Sequence, residues 1–183
     1  MIRLSCLKWK NHRQKDYQIM GLDMYLYLRK SEYHSNSSWR PAEERALAKY
    51  PTELANFEKE INERSSASVC TYIDYKIGYW RKANAIHKWF VDNCAEGVDN
   101  CQDMLVSKDK VARLLDICNL VLEDHSQANE ELPTERGFFF GSQEYDDWYF
   151  EDLEYTKDLL TKVLDFLNAN KDKDYQIVYC ASW

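Results

Sequence analysis

The residue best placed to do chemistry is His87, which sits among Trp80, Val91 and Cys94 in a segment that reads as a helix from about Tyr79 to Cys94. Asn84 lies one turn before it. An imidazole walled by rings has its proton affinity set by burial and neighbours, so it suits a general base or a ligand. With Asn84 beside it, and with Asp23 and the acids near Glu144 converging on one pocket, His87 would form the catalytic set of a small hydrolase or nucleotide-processing enzyme. The competing reading is a satisfied core histidine. No second histidine or acid stands four residues away, as a helical metal pair requires.

A second set points to binding. Gly137-Phe138-Phe139-Phe140-Gly141 is followed by Glu144, Tyr145, Asp146 and Asp147. If the run is extended, Phe138 and Phe140 share a face and Phe139 takes the other. Rings bordered by charge are the composition of interface anchors. A glycine leading into a helix can also present free amides to an anion, but these acids repel phosphate and no P-loop lysine follows. Arg81, Lys82 and Lys88 lie opposite the apolar stripe of the His87 helix. With Trp89 beside them, they would offer a small basic face to an acidic partner. Glu144, Asp147, Glu151 and Glu154 fall along one helix side. They either complement the helix dipole or, with Asp23 or His87, approach a divalent cation. No cofactor or metal motif is present.

These residues need a frame. Leu22, Met24, Leu26 and Leu28 alternate with Asp23, Tyr25 and Tyr27, the period-two pattern of a half-buried strand. Ser31–Ser38 reads as a polar loop. Pro41 and Pro51 open two helices, over about 42–49 and from 51 past Ile61. Val69–Ile77 is β-rich and ends at Gly78. Met104–Val106 suits a short strand, and Ser107 an N-cap for a helix from Lys108 to about Asp124. The last helix, about Glu144 to Ala169, repeats Tyr149, Leu153, Thr156, Leu160, Val163 and Leu167 at helical spacing. Tyr175–Ala181 closes as a strand. The expected fold is α+β: a small mixed or antiparallel sheet packed against about five helices, in one domain over residues 20–183.

Composition narrows the class. The 183 residues carry a net charge of −7, with 13 Tyr and 6 Trp against 5 Gly and 3 Pro. Few breakers and many rings argue for an ordered chain. Residues 1–19 hold five bases and one acid, whereas residues 123–158 hold twelve acids and two bases. That local field disfavours direct nucleic-acid binding and favours a basic partner. The basic, aperiodic opening suggests that the domain begins at Met20, with residues 1–19 an extension or a loose arm. Lys15–Ile19 recurs as Lys173–Ile177, too short a match to define a repeat. Six cysteines without close pairs suit reduced thiols in a cytoplasmic setting. No run is long and apolar enough for a membrane span.

Three blocks together resemble a family of small bacteriophage and prophage proteins of unknown activity. They are Met-Gly-Leu-Asp-Met-Tyr-Leu at 20–26, Gly78–Phe90, and Gly137–Tyr145. The resemblance implies a phage or prophage origin and carries no mechanism. The expectation is therefore an accessory protein that binds a host or phage protein, with the hydrolase as the alternative.

Overall fold

The computed structural model describes residues 21–35 and 68–183. The arm before Met20, the helices expected over 42–49 and from Pro51, and the first copy of the five-residue match lie outside these residues. The described chain forms a four-stranded sheet and four helices. In chain order these are β1 (Asp23–Ser35), β2 (Ser68–Arg81), α1 (Asn84–Cys94), β3 (Met104–Val106), α2 (Lys108–Glu123), the short α3 (Ala128–Glu131), α4 (Asp147–Ala169) and β4 (Tyr175–Ser182). A 3-10 turn over His125–Gln127 joins α2 to α3.

The strand order is β2-β1-β4-β3, and every neighbouring pair is antiparallel. The α+β class and the antiparallel sheet thus follow the sequence. The layering differs from a sheet uniformly backed by five helices. Four helices occur among the described residues, and the two long ones, α2 and α4, pack on each other as well as on the sheet. Their apolar stripes are wide enough to bury Leu114, Cys118, Leu153 and Leu160 in one cluster with strand residues Met24, Leu26, Trp80 and Tyr179.

β1 shows why its sequence makes a strand. Leu22, Met24, Leu26 and Leu28 are buried while Tyr25, Tyr27 and Arg29 are half-exposed on the other face. It runs on through Ser31 to Ser35, where a loop was expected, because β2 supplies a cross-strand partner at each position from Ser31↔Tyr72 to Ser35↔Ser68. Across the outer face, Arg29 clamps Asp74 through two hydrogen bonds of 2.7 Å and reaches Asp103 at 2.9 Å. These bonds hold its guanidinium charged, with the pKa raised further above its ordinary value.

β2 also outlasts its expected end. Tyr79, Trp80 and Arg81 are strand residues, and α1 begins only at Asn84. Gly78 marks a close approach rather than a stop. A Cβ there would meet Leu159 Cδ2 at 2.5 Å and Leu26 Cβ at 3.2 Å, so α4 crosses the strand where only glycine fits. A register shift at Leu26/Tyr27 accommodates this point. The turn itself is made by Lys82, whose φ of 63° lies in the left-handed region, an unusual place for a lysine. Ser107 caps α2 by accepting from the Lys110 amide, and Asp146 caps α4 by accepting from the Tyr149 amide. The last helix therefore starts at Asp147, three residues later than its acidic run suggests.

Candidate functional site

Asn84, first residue of α1, organises one end of the molecule. Its Nδ2 donates to the carbonyls of Phe140 at 3.0 Å and Ser142 at 2.7 Å, and its Oδ1 accepts from the Glu135 amide at 2.9 Å. The side chain is buried, with both ends of its amide engaged. Asn84 therefore clamps the 135–142 loop to the start of α1, with both amide hydrogens donated. The Leu22 amide adds a bond to the Phe139 carbonyl, and the Lys82 amide one to Leu22. Gly141, at φ +89°, completes the seat, since a Cβ would lie 2.9 Å from Lys82 Cβ.

His87 is one turn on and 1% exposed. An ionised carboxylate only accepts, so Nε2–H donates to Asp99 Oδ2 at 2.9 Å, and Nδ1 shares a hydrogen bond of 2.7 Å with the Tyr179 hydroxyl. The C-terminal Trp183 donates to the same Asp99 oxygen at 3.0 Å, while Asp99 Oδ1 is buried without a partner among the described residues. Phe140 closes the imidazole edge-on at 5.2 Å. The order Tyr179–His87–Asp99 resembles a relay, but the phenol is fully buried and stacked through its ring on Phe90 at 4.0 Å. Burial, with Asp99, Cys180 and Cys94 nearby, raises its pKa well above the ordinary tyrosine value. This chain ties β4, α1 and the 95–103 segment together as a buried polar network.

The expected catalytic set is thus dispersed. Asp23 accepts a hydrogen bond from the Tyr79 hydroxyl on the far face of β1 from Met24. Asn84 and His87 are spent on structural partners, and Glu144 lies against a different cavity from His87. The expected basic helix face also dissolves. Arg81 ends a strand, Lys82 makes the turn, Trp89 is buried, and Lys88 pairs with Asp92 at 2.7 Å and Glu135 at 3.3 Å.

The three phenylalanines do not form an extended run. The Phe140 amide donates to the Gly137 carbonyl, closing a turn over 137–140. Phe138 stands 95% exposed, Phe139 meets it edge-on at 4.9 Å, and Phe140 packs on the core. Tyr145 also leans inward, edge-on to Tyr149 at 5.0 Å, its hydroxyl donating to Asn129.

A cavity of about 300 Å³ opens where this loop, the Lys82 turn and the first turns of α4 meet. Arg81, Lys82, Ser142, Glu144, Asp146 and Asp152 line it, with the ring of Trp148 at its border. Trp148 is 75% exposed. Burial, with Glu151 and Asp146 nearby, pushes the Asp152 carboxyl up to about 6. Asp147, Glu151 and Glu154 are exposed along the helix beyond it. Among the described residues no group of three His, Cys, Asp or Glu is arranged to hold a metal.

Sequence reasoning passed over Trp148, Asp152 and the Asp99–Tyr179–Trp183 network. Trp148 did leave a signal. It stands one residue off the stripe that begins at Tyr149, and a tryptophan off the stripe faces solvent. Asp99 and Tyr179 are joined to His87 only by tertiary folding, and no spacing marks them. No helix among the described residues is long and apolar enough to cross a membrane. Compared with family models, curated proteins and solved structures, the chain matches none.

Proposed function

We propose that this chain is a non-enzymatic protein-binding module that grips a host or phage protein through the acidic, aromatic end of the molecule. The observation that carries the reading is the exposure of two large rings, Phe138 at 95% in the turn before the acidic run and Trp148 at 75% at the start of α4, where Asp147 and Glu151 are also exposed. Exposed rings of this size are costly to leave in water and are common anchors of interfaces. Both are presented on fixed backbone, one by the Asn84-clamped loop and the other by the capped start of α4. The occupant that fits is a segment of a partner protein carrying lysine or arginine next to an apolar side chain. The apolar group meets the rings and the cavity, and the cations meet the acids. The phage or prophage origin rests on the resemblance of the three sequence blocks.

The hydrolase reading needs His87, Asn84, Asp23 and Glu144 around one cleft; Asn84 and Glu144 line one cavity, but His87 lines another and Asp23 lines neither. A selection from random dodecapeptides on the immobilised protein tests the binding reading. Sequences pairing Lys or Arg with Leu, Met or Phe are expected to enrich, and the Phe138→Ala/Trp148→Ala double variant to retain them about tenfold less. Enrichment of acidic sequences, or equal retention by the double variant, would overturn it.

A further inference from the structure

The opposite end of α4 carries a second cavity, of about 510 Å³, between the start of α2 and the turn into β4. Its charged lining is Lys108, Lys110, Lys171 and Lys173, with no carboxylate. In a chain with 31 acids this is a local reversal of sign. None of the four lysines is in an ion pair among the described residues. Lys108 and Lys173 are instead steadied by neutral amides, donating to Asn168 Oδ1 and Asn170 Oδ1. Lys88, by contrast, has two carboxylate partners. Asp109, Asp172 and Asp174 are near in sequence but do not line the cavity. Four cations line one cavity with no carboxylate in its lining, so an anion there would be attracted by all of them.

Two further features match an anion with a second, less polar part. Ser107 and the first turn of the sixteen-residue α2 border the cavity, so the positive end of a helix dipole adds to the lysines. The rest of the lining is apolar: Leu105, Leu167 and Ile177, with the ring of Tyr175, which Phe166 holds edge-on at 5.2 Å. The volume lies within the range of small-molecule sites. We propose that this cavity binds a small phosphorylated ligand, its phosphates among the lysines and a planar or apolar group against Tyr175 and Leu167. The site is separate from the acidic surface and independent of its reading.

The test is calorimetric titration of the full chain with ADP, with pyrophosphate and with a single-stranded oligonucleotide. Saturable ADP binding is expected, weakened by salt and by about tenfold or more in Lys110→Gln/Lys171→Gln. Neither lysine donates a side-chain hydrogen bond among the described residues, so the thermal midpoint should hold. Lys171→Glu alone, in the exposed turn before β4, serves as a second variant and should weaken ADP in the same direction. Phe138→Ala should leave ADP binding unchanged. The proposal is overturned by no saturable binding of ADP or pyrophosphate, or by binding that both lysine variants leave intact. Oligonucleotide binding with which ADP does not compete also overturns it, since the lysines would then serve a nucleic-acid backbone.

Discussion

At the residue scale, Asn84 and His87, which looked catalytic, are each engaged at both ends of the polar group. Asn84 satisfies two carbonyls and one amide that no other side chain serves. Replacing it by alanine strands all three, and the expected cost is about 2–4 kcal/mol, read as a lower urea midpoint. Asn84→Asp should also destabilise, because it faces two carbonyls with an acceptor. His87 was legible as a residue set among rings, and it is buried among them. Its partners Asp99 and Tyr179, 12 and 92 residues away, were not legible, since a hydrogen bond between distant elements leaves no mark in local spacing. Asp152 gives a pH signature. Its carboxyl is pushed from the ordinary 3.8 to about 6, so the folded state binds the proton more tightly than the unfolded chain. Its contribution to stability is therefore fully present below about 3.8 and is lost as pH rises through 6. Asp152→Asn should flatten that part of the profile and raise stability above pH 6, measured as urea midpoint against pH.

At the element scale, periodicity told the truth about faces and less about ends. The alternation of β1, the Ser107 cap and the stripe of α4 all came through, because each is a local pattern repeated over several residues. The boundary between β2 and α1 did not. Gly78 has the look of a stop, but it is kept small by Leu159 on α4, a contact visible only in three dimensions. Trp80 confirms its strand placement by donating to Thr156 Oγ1 at 2.8 Å from the inner face of the sheet. Gly78→Ala should accordingly destabilise by about 1–3 kcal/mol through overpacking. A suppressor is expected at Leu159, where Leu159→Ala restores room. If Gly78→Ala is neutral on thermal unfolding, Leu159 yields to the added methyl and its contact does not keep residue 78 small.

At the scale of the whole molecule, the net charge of −7 divides into two ends of opposite character along α4. Its start carries acids and the exposed ring of Trp148, and its finish faces a cavity of four lysines. The acidic end was legible in the sequence because its charges fall in one short stretch of chain. The lysine cavity was not, because Lys108 and Lys110 reach it from one element and Lys171 and Lys173 from another. The same logic explains the phenylalanines: composition marked the run, but the turn at Gly137–Phe140 decides that Phe138 faces out and Phe140 in.

The proposed docking surface includes the exposed ring of Trp148 and the acids at the start of α4. Fluorine resonance of the protein carrying fluorotryptophan, with Trp148 assigned through Trp148→Phe, reads that surface directly. On titration with a selected basic and apolar peptide, the Trp148 signal should shift and saturate, while those of buried Trp80 and Trp89 hold still. In Glu144→Lys/Asp147→Lys/Glu151→Lys the shift should require at least about tenfold more peptide. A peptide that binds without moving the Trp148 signal would contradict the account.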